Sequence, residues 1–168
     1  METEKLGTSA VIDSISTTDC LSAWIKDGDT EPSWDGHIYI YRSKNRNKSN
    51  IIARVPVQVK GKLCDNISKS KITYPIEMAD LRNYYNDGGV IFFVVLVQEK
   101  EDTVTKKIFY TDLLPVKLKP LLSDQETKSV ELKEFPIKNK HKESIFRKFA
   151  DNSKKTNQFC KIQFVFTD

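Results

Sequence analysis

Apolar and polar positions repeat with two different periods along this 168-residue chain, and the periods divide it into helices and strands. Over 3–16 (TEKLGTSAVIDSIS), Leu6, Ala10, Val11 and Ile15 stand near helical spacing and predict a helix. The polar cluster STTD at 16–19 offers caps for a short second helical piece running through Trp24. KDGDTEPS then reads as a loop, punctuated by Gly28 and Pro32. Residues 37–42 (HIYIYR) alternate and are rich in β-formers, which predicts a strand. After the polar connection SKNRNKSN, residues 51–60 (IIARVPVQVK) predict a second. Pro56 has no N–H to donate, so the backbone there is expected to face an edge or a bulge. A third strand is expected at 71–76 (KITYPI).

Farther along, Asp80, Leu81, Tyr84 and Tyr85 are spaced at three and four, predicting a helix that the Gly88-Gly89 pair stops. The run VIFFVVLV at 90–97 is continuously apolar and predicts a central strand buried on both faces. QEKED is a turn into TVTKKIFY, its expected antiparallel neighbour. Pro115 and Pro120 break the helical pattern of TDLLPVKLKPLLS. A strand at KSVELKEF follows, then a basic amphipathic helix near 141–151 with Ile145, Phe146 and Phe149 on one face. The last ten residues, FCKIQFVFTD, read as a strand that stops abruptly, so the natural chain is expected to continue past residue 168. The first hundred residues thus read helix, strand, strand, strand, helix, strand. This is an α/β chain with a mixed α+β sheet, read as a single domain over 1–168, with its core at about 1–97 and a C-terminal extension of strands and helices.

Composition narrows the functional classes. Hydrophobic residues at 39% and charged residues at 30% describe an ordinary globular chain. The longest apolar run is far short of the ~20 residues that cross a bilayer, so no membrane partner is expected. Three cysteines, Cys20, Cys64 and Cys160, lack any C-x-x-C spacing, and only His37 and His141 are present. That argues against a disulfide framework and a zinc site, and favours the cytoplasm. A net charge of +4 permits a nucleic-acid partner without demanding one. Lysines and arginines gather at 42–48, 60–71 and 138–155, as solvated faces or as contacts to a phosphate backbone.

The candidate chemistry lies in EPSWDGHIYIYRSKNRNKSNIIARVPVQVKG, residues 31–61. Treated as a hairpin centred between Arg46 and Asn47, it sets Ile38 opposite Val55 and Ile40 opposite Ala53, which makes one apolar face. Asp35, His37, Tyr39, Arg54, Gln58 and Lys60 then share the other, with Asp35 opposite Gln58. Opposed residues have Cβ atoms about 5 Å apart, so a carboxylate, an amide oxygen and an ammonium converge at one hairpin end. Hard oxygens of this kind suit Mg²⁺, with the Val59 backbone carbonyl as a further ligand. A neighbouring ammonium suits developing negative charge at a phosphate. No Ser/His or Cys/His arrangement supports a metal-free hydrolase.

Asp35 on one strand and Gln58-Val59-Lys60 on the next resemble the PD-(D/E)xK nuclease superfamily. WDGHIYIY and VPVQVKG are closest to the nuclease domains at the N-termini of bacterial antiphage effectors and related uncharacterised families. The resemblance covers roughly residues 1–97. It implies a restriction-endonuclease-like core and a Mg²⁺- or Mn²⁺-dependent endonuclease acting on DNA, most naturally duplex DNA. It also implies the effector role in an antiphage defence system, with a homo-oligomer or a defence-system partner protein as controls. Asp35 and Gln58 correspond to metal ligands and Lys60 to the catalytic lysine. A glutamate on the first helix corresponds to Glu4, with Glu2 as the fallback. Arg54, Lys62 and His37 are the candidates for nucleic-acid contact, and Trp34 could stack on a base or pack its loop. The chain departs from the pattern in two ways: Pro32 lies three residues before Asp35, and the second acidic position holds the neutral Gln58. The competing expectation is therefore a module that keeps the fold and binds nucleic acid or protein without cutting.

Overall fold

The computed structural model describes the backbone of residues 2–28 and 31–165 and the side chains of these up to residue 153. Within them, seven strands form one mixed sheet, flanked by four α-helices. The chain runs α1 (Thr3–Ser16), β1 (Leu21–Ile25), β2 (Gly36–Tyr41), β3 (Ile51–Leu63), β4 (Lys71–Glu77) and α2 (Met78–Asp87). It continues through β5 (Val90–Lys100), β6 (Thr103–Leu113), α3 (Pro115–Leu118), β7 (Thr127–Glu134) and α4 (Asn139–Val165). The strand order is β1-β2-β3-β5-β6-β7-β4, and β3/β5 is the parallel pair.

The β2–β3 register matches the expected hairpin: Ile38 faces Val55, Ile40 faces Ala53 and Gly36 faces Val57. A bulge near Tyr41 absorbs one residue before the loop. Pro56 falls one residue ahead of Val57, where pairing with β5 begins, so its missing N–H costs no ladder bond there. The apolar run in β5 occupies the middle of the sheet and is buried from Val90 to Val97.

Two clusters of buried side chains lie on the two faces. Val11 and Ile15 of α1 and Phe146 and Phe149 of α4 pack on Ile38, Ile40, Val55, Val57 and Val59. Leu81 and Tyr84 of α2 and Leu118 of α3 cover the other face, against Phe92, Val94, Phe109 and Leu132. Alternation along β5 sends successive residues to opposite clusters, and full burial of each large side chain contributes about 1.5–3 kcal/mol.

Three expectations are corrected. The second helical piece through Trp24 is strand β1, since Leu21–Ile25 pairs along its whole length with β2 and points Leu21 into the core. The core meander is therefore β1-β2-β3, not the three strands at 37–42, 51–60 and 71–76; β4 crosses to the far edge and pairs with β7. The strand-like ending is the continuation of α4 through Val165, and residues 166–168 of that stretch lie outside the described residues. Residues 29 and 30 of the loop before β2 also lie outside them.

Candidate functional site

A cleft of about 480 Å³ opens where the N-terminus of α1 meets the free edge of β3. Asp35, Val59, Lys60, Glu4 and Glu2 all line it. The approach is set by two glycines. A Cβ on Gly61 would lie 2.2 Å from the Thr3 carbonyl oxygen, and one on Gly7 would lie 3.3 Å from the Gly61 Cα. Only bare backbone lets α1 sit this close to β3, and that contact brings Glu4 to the level of Lys60.

Asp35 extends β2 by one residue. Its N–H donates to the Val57 carbonyl at 3.0 Å, and its own carbonyl accepts the Lys26 N–H at 3.0 Å. Its side chain turns along the edge, where Oδ2 accepts the Val59 N–H at 2.7 Å. In an antiparallel edge the N–H and C=O of one residue point the same way, so the Val59 carbonyl shares the edge that Asp35 occupies.

The segment ahead of Asp35 is clamped by α2. Ser33 takes a left-handed backbone (φ 68°), uncommon for a residue with a Cβ. Its Oγ donates to Asp80 Oδ1 at 2.5 Å and accepts from Asn83 Nδ2 at 2.9 Å, while Tyr84 Oη donates to its carbonyl at 2.7 Å. Trp34 lies edge-on to Tyr84 with ring centroids 6.0 Å apart. Burial, followed by the charges of Asp80 and Asp35, pushes the Tyr84 phenol far above its ordinary pKa, so it stays a donor.

Gln58 does not line the cleft. It is 6% exposed, on the strand face it shares with Lys60, and its Oε1 has no hydrogen-bond partner among the described residues. A buried acceptor left unpaired costs about 1–3 kcal/mol. Lys60 is half-buried, and among the described residues no hydrogen bond or ion pair holds its Nζ. His37 and Arg54 lie two strand positions or more from Asp35 and line a different pocket, beside Asp87 and Phe149. Burial and then the neighbouring Arg54 hold His37 below the ordinary imidazole value. Lys62 lines a third pocket, with Cys64 and Tyr74.

The sequence reading missed Lys5, Lys26 and Asp27, which also line the cleft. Lys26 and Asp27 arrive there because β1 is a strand, and the chain leaving it passes Asp35. Among the described residues, no three His, Cys, Asp or Glu side chains are grouped to hold a metal ion. No helix among them is long and apolar enough to cross a membrane. Comparison with protein-family models, curated proteins and solved structures finds no match to this chain.

Proposed function

We propose that the protein is a divalent-cation-dependent endonuclease that hydrolyses phosphodiester bonds of DNA, with the Asp35–Lys60 cleft as its active site. The observation that carries this reading is the bond from the Val59 N–H to Asp35, which fixes a carboxylate, a backbone carbonyl edge and Lys60 at one cleft with Glu4 across it. The element order supports it too: a helix, an antiparallel three-strand meander, a helix, and a strand parallel to the third, with β4 inserted ahead of the second helix. With β4 left out, this follows the helix-strand-strand-strand-helix-strand order that the resemblance to the PD-(D/E)xK superfamily implies.

The donor set suits Mg²⁺ or Mn²⁺: Asp35, Glu4 and the Val59 carbonyl offer hard oxygens at the cleft, while Gln58 Oε1, buried on the same strand outside the cleft, has no hydrogen-bond partner among the described residues. What a divalent cation supplies when bound is polarisation of the phosphate and acidification of a water. Asp35, held by the Val59 N–H, needs no reorganisation to serve as a ligand. Lys60 presents N–H donors to the water and to the negative charge that develops on the phosphate oxygens. Water oxygen bonds to phosphorus, one P–O ester bond breaks, and the leaving oxygen takes up a proton. By the same resemblance, the natural setting is the DNA-cleaving part of a bacterial defence protein.

A second reading, a module that binds without cutting, is favoured by one observation. Gln58 is neutral and buried away from the cleft, leaving Asp35 and Glu4 as the carboxylates of the expected ligand set. Plasmid nicking in Mg²⁺, Mn²⁺ or EDTA separates the two. The nuclease reading expects conversion of supercoiled plasmid to open circle that EDTA abolishes. Folded protein that leaves plasmid intact in both metals sinks it in favour of the binding module.

A further inference from the structure

We propose that Lys26 and Thr8, together with the uncapped start of α1, form an oxyanion subsite in the Asp35–Lys60 cleft that seats the phosphate to be attacked. The proposal rests on the nuclease reading for the identity of that phosphate as a DNA phosphodiester. The seat itself rests on how the cleft is built.

Lys26 reaches the cleft through another close approach that bare backbone permits. A Cβ on Gly36 would lie 2.0 Å from the Trp24 carbonyl oxygen and 2.8 Å from the Ile25 Cα. Only glycine lets the end of β1 pack this tightly on the start of β2. The β1–β2 register ends with Ile25 opposite Gly36, which sets Lys26 beside Asp35. The Lys26 N–H donates to the Asp35 carbonyl at 3.0 Å and ties the two residues together. Asp35 is thus flanked by a lysine from each neighbouring strand, Lys26 after β1 and Lys60 in β3, and both line the cleft. Lys26 is exposed, and among the described residues no hydrogen bond or ion pair holds its Nζ.

Thr8 supplies a neutral donor. It lies one turn along α1 from Glu4, and residues four apart on a helix are surface neighbours. Thr8 is only 5% exposed, yet it lines the cleft, and among the described residues no hydrogen bond engages its hydroxyl. Buried hydroxyls ordinarily find a partner, and the cleft is the side from which one can come. The helix begins at the same place. Thr3, Glu4 and Lys5 line the cleft, and no side chain caps α1. The first N–H groups of such a helix are free donors that favour an anion.

Charge decides when the seat fills. Four of the side chains lining the cleft are carboxylates and three are ammoniums, an excess of one negative charge. One divalent cation turns this into an excess of one positive charge, so the phosphate is expected to follow the cation. A phosphodiester has two non-bridging oxygens to satisfy, and Lys26 and Lys60 offer charge-assisted donors on the two sides of Asp35.

Calorimetric titration of thymidine 5′-monophosphate in Mg²⁺ tests the seat, because this probe carries a phosphate and no internal phosphodiester to cut. Mg²⁺ is titrated alone first. Wild type is expected to bind the probe in Mg²⁺ and to lose it in EDTA. Lys26→Gln is expected to weaken binding at least about tenfold, and Lys26→Arg to restore most of it. Thr8→Val keeps the volume and removes the hydroxyl, and it is expected to weaken binding about fivefold, with thermal melts showing that each variant is folded. In plasmid nicking, Lys26→Gln is expected to raise KM more than it lowers kcat. Unchanged probe affinity in folded Lys26→Gln or Thr8→Val overturns the proposal, whether or not plasmid is cut. Wild type that binds Mg²⁺ but no probe overturns it and leaves the nuclease reading standing; wild type that binds neither overturns both. Lys26-dependent probe binding by a protein that cuts nothing supports the seat and removes the nuclease reading.

Discussion

Asp35 Oδ2 accepts the Val59 backbone N–H at 2.7 Å, joining residues 24 positions apart at the open edge of β3. The bond does two jobs. It satisfies an edge N–H that β2 has ended too early to reach, and it fixes the carboxylate beside Lys60. A hydrogen bond to a charged group contributes about 1.5–3 kcal/mol. Asp35→Ala should therefore lower stability by roughly that amount, whereas Asp35→Asn retains an acceptor and should lose less. Both variants should lose cation-dependent cleavage. Urea denaturation alongside a nicking assay checks this; an active Asp35→Asn contradicts the assigned role.

Gln58 should show the opposite trade. Gln58→Met removes a buried acceptor that has no partner among the described residues and keeps the volume, so stability should hold or rise, by up to about 1–3 kcal/mol. Cleavage and cation affinity should fall if Oε1 is a ligand. Calorimetric titration of Mn²⁺ into both proteins decides it, and unchanged Mn²⁺ affinity removes Gln58 from the ligand set.

Gly61→Ala tests how α1 is seated. The new Cβ would meet the Thr3 carbonyl oxygen at 2.2 Å, so the helix end must lift. A loss of about 1–3 kcal/mol is expected in urea denaturation, as for other overpacked contacts. Cleavage should fall with it, because Glu4 moves with the helix.

Tyr84→Phe removes the donor to the Ser33 carbonyl while leaving the ring packed against Trp34 and Phe92. The loss of about 1 kcal/mol should lower Tm by roughly 2–4 °C. The Mg²⁺ concentration for half-maximal cleavage should rise, because the turn ahead of Asp35 loosens. A Tm shift with no change in the Mg²⁺ requirement would mean that the clamp serves the fold alone.

His37 gives the fold a pH dependence of definite sign. Burial first, then Arg54, lowers its pKa from 6.5, against the weaker opposing charges of Glu31 and Asp87. Between 6.5 and the folded value the unfolded chain holds a proton that the native chain does not. Stability should decline as pH falls through that window and level off beneath it. His37→Gln should flatten the decline in urea midpoints measured across the same range.

The hairpin register was legible because Ile38, Ile40, Ala53 and Val55 leave a single alignment with an apolar face. The same alternation put Asp35 opposite Gln58. β1 was not legible: five residues with polar caps ahead of them carry too little pattern, and its strand character comes from pairing with β2. The place of β4 beside β7 is likewise non-local, since nothing within KITYPI names its partner. FCKIQFVF is β-rich in composition, yet it continues a helix begun twenty residues earlier at Asn139. Alternation correctly gave Gln58 and Lys60 one face, but it could not tell that Gln58 would be buried against β5 while Lys60 reached the cleft.

The most direct test of the central claim compares plasmid nicking by wild type and Lys60→Ala in Mn²⁺ at matched concentration, with thermal melts of both. Lys60 is half-buried and unpaired among the described residues, so its truncation should leave Tm nearly unchanged. The account predicts nicking by wild type and a drop of at least about a hundredfold for Lys60→Ala. Equal nicking by a folded Lys60→Ala would place the chemistry somewhere other than the Asp35–Lys60 cleft.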